Sequence, residues 1–347
     1  MTWKVGGGIA VLLMLSAVAG SAETGPPAQR AAWREAYRPP TEIPFPDGNP
    51  YTPAKADLGR RLFFDPILSD DRTRSCATCH VPDLAWADGR PKAASRDQSE
   101  TDLHTPSLLN VAWQEGRLGW DGKFRDLESV AFAPITAPGN MGLSVEAAVS
   151  RLSADAAYAE AFALAFSGAP VTRARIEAAL ATFQRLIVSG TSPFDRWIAG
   201  DEAAINAGAK RGFDLFNGRA NCAACHGGWA FSDGSFHDVG TATGTDLGRG
   251  QFMPNSQALQ YAFKTPGLRE VAGRGAYMHD GSVPTLDAVI DLYDRGGIAR
   301  PSRSPEIRPL ALKPGERADL LAFLRTLTSE AANGPAPAER VAATPTP

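Results

Sequence analysis

The sequence predicts a mostly α-helical protein built from two similar domains with long loops, and three observations lead to this fold class. The chain has 347 residues, enough for two domains of roughly 150 residues each. A short cysteine motif occurs twice, and the segments around its two copies match in the same order along the chain. The 34 glycines and 27 prolines favour loops over long regular sheets. A hydrophobic content of 44% is enough to build a core in each domain.

The first 22 residues are predicted to be a cleaved secretory signal peptide. They contain an early lysine, Lys4, and an apolar run over residues 11–15, and they end in small residues. A membrane anchor is the alternative, but the run is short for a spanning helix and the chain turns polar at Glu23. Cleavage near Ala22 predicts an exported, periplasmic protein that is not held in the membrane. Residues 331–347, rich in Pro and Ala, are expected to form a disordered tail.

All four cysteines belong to two copies of a C-x-x-C-H motif, Cys76, Cys79 and His80 in the first copy and Cys222, Cys225 and His226 in the second. Two thiols at this spacing can form thioether bonds to the vinyl groups of one haem, and the adjacent histidine then binds the iron. Disulfides are the ordinary use of cysteine in an exported protein. Zinc needs four ligands where each copy supplies three, and a thioredoxin-like motif leaves the histidine unexplained. The sequence therefore predicts two covalently bound c-type haems in two cytochrome c-like domains.

Segments on both sides of the two motifs repeat in the same order, which predicts that the domains are related by internal duplication. The matched pairs are residues 58–64 with 210–216, 86–89 with 231–234, 105–112 with 265–272, and 120–122 with 279–281. Coincidence between loops rich in Gly and Pro is the alternative, and the ordered series argues against it. We predict an N-terminal haem domain over residues 23–190 and a C-terminal haem domain over residues 191–330.

Seven segments are predicted to be helical, namely residues 54–64, 145–153, 156–166, 176–187, 203–216, 285–293 and 316–327. The segments 176–187 and 316–327 close the two halves and place apolar residues at i, i+3 and i+4 spacing. The loops between helices are expected to be long because a haem serves as part of each core and the backbone must wrap around it.

The repeat also predicts that the two irons differ. Alignment of the two Asp-Gly pairs places Tyr293 opposite Pro134. The side chain of proline cannot bind iron, whereas tyrosine can be an axial ligand. If this position faces the iron in both domains, the second haem has two axial ligands, His226 and Tyr293, and the first has His80 and an open side. A core aromatic on an amphipathic helix is the alternative interpretation of Tyr293.

These residues resemble the bacterial dihaem cytochrome c peroxidase family, and within it the MauG-type branch. The similarity covers about residues 58 to 327 and includes the segments 120–122, 263–266 and 277–281. Tyr293 decides the branch, because ordinary peroxidases of this family carry methionine at the matching position and the MauG type carries tyrosine. Residues 81–103 contain no histidine of the kind that caps the first haem in ordinary members.

The resemblance implies that hydrogen peroxide, or dioxygen plus electrons, reacts at the His80 haem and that Trp120 carries the oxidising equivalent between the haems. Trp120 as a packed core aromatic is the alternative. The implied substrate is a partner protein whose tryptophans are oxidised, as in tryptophan tryptophylquinone maturation of the methylamine dehydrogenase small subunit precursor. A small cupredoxin or cytochrome c is the implied electron donor. Nucleic acid is excluded as a partner, because a formal net charge of −3 provides no basic field.

Two positions depart from the family pattern. The acidic residue over the open haem, six positions past the matching proline, is Asn140 here. An amide can hydrogen-bond but cannot move a proton between peroxide oxygens as a carboxylate can, so His104 or Glu146 is a candidate for that role. Position 104 contributes to a calcium site in many relatives, and histidine is a poor calcium ligand. Calcium is therefore a candidate ion that would depend on backbone oxygens near Lys264 and Pro266.

Three functions remain open at the level of sequence. The first is oxidation of a protein substrate, and the second is disposal of hydrogen peroxide with electrons from a small redox protein. The third is non-catalytic electron transfer, suggested by Asn140. Three methionines, Met141, Met253 and Met278, are alternative ligands that would give the second haem a higher potential.

Overall fold

The structure is a computed structural model of the chain that describes residues 27–97, 101–114, 116–329 and 334–335. The predicted signal peptide lies outside the described residues, as does the predicted tail apart from residues 334–335. The α-helices are α1 (Pro27–Ala36), α2 (Pro53–Phe64), α3 (Leu127–Val130), α4 (Phe132–Thr136), α5 (Val145–Ala154), α6 (Ala156–Ala165), α7 (Arg173–Arg185), α8 (Pro193–Ile198), α9 (Ala207–Asn217), α10 (Ala223–His226), α11 (Leu286–Arg295) and α12 (Pro314–Arg325). The mostly helical fold predicted from the sequence is confirmed.

Regular β-structure in the described ranges is limited to four strands of two residues. They are β1 (Ile187–Val188), β2 (Phe236–His237), β3 (Phe263–Lys264) and β4 (Gly334–Pro335). Strand β1 pairs with β4 and β2 with β3, both antiparallel. The remaining chain between helices forms the long loops that the sequence predicts.

All seven predicted helices are present, with ends no more than four residues from the predicted ones. The largest difference is at α9, which begins at Ala207 and not at residue 203, because the side chain of Asn206 accepts the N–H of Ala209 and caps the helix. Five helices, α1, α3, α4, α8 and α10, were not predicted. Four of these have six residues or fewer, too short for periodicity to reveal. Within the described ranges, no helix combines the length and apolar character needed to cross a lipid bilayer.

Each domain is organised around one close crossing of two helices. Helix α2 packs on α7 in the first domain, and α9 packs on α12 in the second. A Cβ added to Gly59 would lie 2.0 Å from the carbonyl oxygen of Ala179, and one added to Gly212 would lie 2.0 Å from that of Asp319. Only glycine lets these backbones approach so closely. The same device at the helix crossing of each domain agrees with the internal duplication.

The hydrophobic residues form a separate main core in each domain. The first core contains Phe63, Trp86 and Phe183, and the second contains Phe194, Phe213 and Phe323. Helix α1 adds to the second core although it precedes the first domain in the chain. Its Trp33 packs edge-on against Phe213, and the adjacent Tyr37 is buried with its ring 4.9 Å from that of Phe231. The domain boundary at residue 190 stays a prediction, and Trp33 and Tyr37 pack with the domain that lies beyond it.

Candidate dihaem site

The first C-x-x-C-H motif forms a tight turn that holds its histidine in place. The N–H of His80 donates to the carbonyl oxygen of Cys76 at 3.0 Å. Its ring nitrogen Nδ1 lies 3.0 Å from the carbonyl oxygen of Trp86. Burial lowers the pKa of His80, which favours the neutral imidazole. In that form Nδ1 donates to the carbonyl and the lone pair of Nε2 is available to a metal.

The second motif repeats this arrangement at the end of α10. The N–H of His226 donates to the carbonyl oxygen of Cys222 at 2.9 Å, and its Nδ1 lies 2.8 Å from the carbonyl oxygen of Phe231. Burial lowers the pKa of His226 as well. Both domains therefore orient the motif histidine by a backbone carbonyl from the loop that follows the motif.

The four cysteines have the properties expected of haem attachment sites. All of them are free thiols, which excludes the disulfide alternative in this structure. Burial raises the pKa of Cys76 and of Cys222 to about 12. The sulfur of Cys225 lies within 4.8 Å of ligand atoms of Asp233 and His237. His237 is already hydrogen-bonded to Asp233 at 2.7 Å, and Cys225 belongs to the attachment motif, so the residues fit a thioether better than a zinc site.

A cavity of about 260 Å³ opens beside the second motif. Cys222, Cys225 and His226 line it, and so does Tyr293 from α11. Burial raises the pKa of Tyr293, and the two cysteine thiols act in the same direction because they lie close to the phenol. Among the described residues, nothing hydrogen-bonds the Tyr293 hydroxyl. Tyr293 and His226 therefore line the same cavity, as two axial ligands of one haem would.

The matching region of the first domain carries Pro134 and Asn140 on one turn. The N–H of Met141 donates to the carbonyl oxygen of Pro134 at 3.2 Å, and that of Asn140 donates to Ala137 at 2.9 Å. These bonds bring Asn140 back beside Pro134. Glu146, the carboxylate candidate in this region, is solvent-exposed on α5.

Trp120 lies at the tip of a hairpin, residues 118–124, that reaches from the first domain into the second. Its indole N–H donates to the carbonyl oxygen of His104 at 2.8 Å, and its own carbonyl accepts the N–H of Lys264 at 2.8 Å. Trp120 and His104 both line the cavity of the second domain, whereas Asn140 does not. The structure thus brings His104 to Trp120, and Nδ1 of His104 lies 2.8 Å from the carbonyl oxygen of Arg90.

The matched hairpin of the second domain, residues 277–283, contacts the first domain in return. The carbonyl oxygen of His279 accepts the N–H of His104 at 2.8 Å, and Gly281 packs on the backbone of Pro91. The ring of His279 stacks on Phe263 with centroids 3.6 Å apart. Each domain therefore supplies one hairpin to the other, which fixes the relative position of the two motifs.

The alternative methionine ligands lie in three different environments. Met141 is buried in the first core, and Met253 is 44% exposed. Met278 belongs to the hairpin of residues 277–283 and lines the second cavity. Two further residues escaped the sequence analysis as site residues: Trp86, whose carbonyl holds His80, and Arg274, which lines the second cavity. The role of Trp86 could have been predicted from the sequence, because Trp86 and Phe231 are matched positions that follow the two motifs at nearly the same distance.

Two haem-attachment motifs in a duplicated helical fold define a dihaem c-type cytochrome. The sequence model of the family described as "Di-haem cytochrome c peroxidase" matches residues 53–203, and that described as "Cytochrome c" matches residues 209–328. The chain is 51% identical to "Methylamine utilization protein MauG" of Methylorubrum extorquens, over 87% of this chain and 86% of that protein. It is 45% identical to the protein of the same name from Methylophilus methylotrophus, over 88% and 91% of the two chains.

Among solved structures, a MauG-like protein associated with microbial copper homeostasis superposes with a TM-score of 0.77 and 34% identity, covering 85% of this chain and 94% of that one. The chain belongs to the di-haem cytochrome c peroxidase family, and it is a haem-dependent oxidoreductase. The family resemblance inferred from the sequence and the prediction of two cytochrome c-type domains are confirmed.

Proposed function

We propose that this protein is a periplasmic enzyme that uses hydrogen peroxide, or dioxygen plus electrons, to oxidise tryptophan residues of a partner protein. The proposed instance is tryptophan tryptophylquinone maturation of methylamine dehydrogenase. The observation that carries the proposal is the difference at one matched position, where Tyr293 lines the second cavity and Pro134 stands in the first domain. The identity to two proteins named MauG supports the same conclusion.

The residues of this chain would hold and orient two haems of different character. When bound, haem iron supplies a centre that reduces peroxide and exchanges single electrons. The four cysteines attach the two haems, and carbonyl oxygens of Trp86 and Phe231 fix the imidazoles of His80 and His226. Pro134 has no side-chain group that could bind the iron of the first haem. Tyr293, which lines the cavity with His226, would supply a second ligand to the iron of the second haem.

Asn140 would act on the oxidant by hydrogen bonding alone. Its amide donates and accepts hydrogen bonds but carries no proton that it can transfer near neutral pH. Proton movement at the first haem then depends on solvent or on another side chain. His104, a candidate for this role, lines the second cavity and is held by Arg90 and His279. A role for His104 in orienting Trp120 suits these contacts better than proton transfer at the first haem.

Trp120 would carry the oxidising equivalent between the two domains. Its indole N–H and its carbonyl are both hydrogen-bonded, so its ring is held rigidly at the tip of the hairpin. Arg249 donates to the carbonyl oxygen of Gly122 at 2.8 Å and fixes the same hairpin to the second domain. Long-range transfer through such a fixed ring suits a substrate that is itself a folded protein, because buried haems cannot admit it.

The proposed partners are hydrogen peroxide or dioxygen, a small cupredoxin or cytochrome c that supplies electrons, and the precursor of a tryptophan-derived quinone enzyme. The signal peptide over residues 1–22 places the protein in the periplasm in this proposal. Calcium near the backbone oxygens of Lys264 and Pro266 stays a prediction. The N–H of Lys264 is fixed by the carbonyl of Trp120, so an ion there would lie close to the hairpin.

The test is to add hydrogen peroxide to the purified dihaem protein with the quinone-free precursor of methylamine dehydrogenase. The expected result is the appearance of the quinone absorption band in the precursor and of methylamine-dependent dye reduction. The Trp120→Phe variant is the matched control: it should keep both haem spectra and convert the precursor more slowly. No conversion of the precursor by the wild-type protein contradicts the proposal.

Disposal of hydrogen peroxide is the second candidate, favoured by the family description. If this is the function, peroxide should be turned over rapidly with a reduced small cytochrome or cupredoxin as electron donor, and the precursor should stay unchanged. If the protein is a simple electron carrier, the third function, the spectrum of the ferric protein should not change when hydrogen peroxide is added. The same set of assays therefore separates the three functions.

A further inference from the structure

Arg274 is a half-buried cation that lines the second cavity, and its hydrogen-bond partners carry no charge. Its guanidinium donates to the carbonyl oxygen of Gly267 at 2.8 Å and to that of Arg269. Its Nε is buried and has no hydrogen-bond partner among the described residues. Burial lowers the pKa of Arg274 to about 10, with Glu270 and Tyr277 acting in the opposite direction. Charges withdrawn from water in proteins are ordinarily paired, but no anion forms an ion pair with Arg274 in the described part of the chain.

The carboxylates of the second domain do not supply that anion. Glu270 is close enough to act on the pKa of Arg274, but no ion pair joins the two in the described part of the chain. The Glu270 carboxylate instead accepts the N–H of Ser329 at 3.0 Å. Asp195 is paired with Arg269 at 2.8 Å. The anion that Arg274 lacks is therefore expected to come from a molecule that fills the cavity.

The neighbours of Arg274 differ from those of the attachment cysteines. Asp233 and Glu306 are the charged groups that act on the pKa of Cys225, whereas Glu270 and Tyr277 act on Arg274. This difference matters because of the shape of a haem. The cysteines attach to its vinyl groups at one edge of the porphyrin, and its two propionates lie at the opposite edge. Arg274 lines the cavity and its hydrogen bonds go to backbone carbonyls and not to an attachment cysteine, so it is in a position to meet a propionate.

Arg74 in the first domain provides a contrast. It is buried, with an Nε that lacks a partner among the described residues and two carbonyl partners, Ala94 and Ser95. However, its guanidinium lies 3.5 Å from the sulfur of Cys79, at the attachment edge. In the first repeat, the residue two positions past the matched segment 105–112 is the neutral Gln114, as Arg274 is two positions past the segment 265–272. Of these residues, only Arg274 combines a cavity-lining position and a positive charge with no hydrogen bond to an attachment cysteine.

We propose that Arg274 forms an ion pair with a propionate of the second haem and raises the reduction potential of that haem. The proposal rests on the second haem site within the proposed function and does not depend on which substrate is oxidised. Ferric haem carries one more positive charge than ferrous haem, so a nearby cation favours the ferrous form. Loss of the cation, with the propionate left unpaired, therefore lowers the potential.

The experiment measures the midpoint potential of each haem by spectroelectrochemical titration of the holoprotein. The variants are Arg274→Gln, which copies the neutral residue of the first repeat, and Arg274→Lys, which keeps the charge. Arg308→Gln is the matched control, because Arg308 lines the same cavity but is solvent-exposed. We expect Arg274→Gln to lower the potential of the second haem and leave that of the first unchanged. Arg274→Lys should stay closer to the wild type, and Arg308→Gln should have a smaller effect because water screens its charge.

Two outcomes overturn the proposal. The first is an unchanged potential of the second haem in Arg274→Gln when both haems are attached. The second is a larger shift in Arg308→Gln than in Arg274→Gln. A purely structural role, in which Arg274 only fastens the loop of residues 267–274, predicts equal effects of Gln and Lys, since both lose the paired carbonyl bonds. Conversion of a protein substrate is not part of the readout, so failure here is distinguishable from failure of the proposed function.

Discussion

The two domains build the same support under the iron and differ on the opposite side. Below each motif a backbone carbonyl holds Nδ1 of the histidine, at 3.0 Å from Trp86 for His80 and 2.8 Å from Phe231 for His226. Each domain also crosses its two main helices at a glycine and extends one hairpin into its neighbour. Duplication has therefore preserved the parts that attach and orient a haem.

We propose that the difference is concentrated in a few side chains at the two cofactor sites. Proline at position 134 and tyrosine at position 293 would give the two irons different surroundings. Neither position changes the backbone plan of the domain. In this proposal one frame would hold a centre that is open to an oxidant and a centre that is closed by a ligand, and this division would allow oxidation at a distance from the oxidant.

The largest expected effect comes from removing the attachment cysteines of one domain at a time. The double variants Cys76→Ser with Cys79→Ser and Cys222→Ser with Cys225→Ser should each lose one of the two covalent haems. Haem staining of the denatured protein and the pyridine haemochrome spectrum measure this directly. The haem that remains then shows the spectrum of one domain alone. Retention of two covalent haems by either variant would contradict the assignment of the two motifs as haem-attachment sites.

Tyr293→Phe should make the two domains more alike. Without the phenol oxygen the second iron loses its sixth ligand, so its low-spin signal should disappear. Conversion of the protein substrate should fall by more than about tenfold, since even groups that only orient a ligand often cost 10–100-fold. Tyr277→Phe is the matched control, because Tyr277 lines the same cavity while its hydroxyl donates to the carbonyl of Val271. A low-spin signal that persists in Tyr293→Phe would point to another ligand, and Met278 is a candidate because it lines the same cavity.

Two ion pairs of the first domain, one with a buried arginine and one with an exposed arginine, offer a comparison of stability. Arg185 binds Glu128 through both guanidinium nitrogens in the first domain, at 2.8 and 2.9 Å. Glu128→Gln leaves the buried Arg185 without its carboxylate and should lower the free energy of unfolding by about 3–5 kcal/mol. Urea unfolding of the holoprotein measures it. Glu177→Gln removes the partner of Arg173, an exposed side chain that water can solvate, and should cost less than about 1 kcal/mol. Equal losses in the two variants would contradict this expectation.

The helix crossings should respond equally in the two domains. Gly59→Ala and Gly212→Ala each introduce a methyl group 2.0 Å from a carbonyl oxygen. Overpacking of this kind should cost about 1–3 kcal/mol in each case, seen as a lower melting temperature. Gly315→Ala, at a helical position with nothing within 4 Å of the added methyl, should not destabilise the protein. A tolerated substitution at only one of the two crossings would show that the domains do not share this packing.

The smallest effect is a gradual dependence of stability on acid. Burial raises the pKa of Glu128, but hydrogen bonds from Arg185 and Asn49 outweigh it and leave the pKa below its usual value. The contribution of a carboxyl with a lowered pKa is complete above its unfolded value of about 4.3 and is lost as pH falls through the folded value. The stability gap between the wild type and Glu128→Gln should therefore narrow below about pH 4. A gap that widens on acidification contradicts this sign.

Local signals predicted much of the fold, whereas contacts between distant segments escaped the sequence. Helix α12 follows from its own apolar spacing, but α1 packs Trp33 onto Phe213, a core residue far along the chain. The contact of Trp120 with Lys264 requires the two hairpins to be placed together, which no periodicity encodes. The motif residues were predictable because covalent haem attachment requires a fixed spacing. Arg274 was not, because its missing partner is expected to belong to the cofactor.

Electron paramagnetic resonance of the resting ferric protein tests the central claim most directly. The account predicts one high-spin signal from the first domain, where Pro134 leaves the iron open, and one low-spin signal from the second, where His226 and Tyr293 are both bound. Two high-spin signals or two low-spin signals would contradict it.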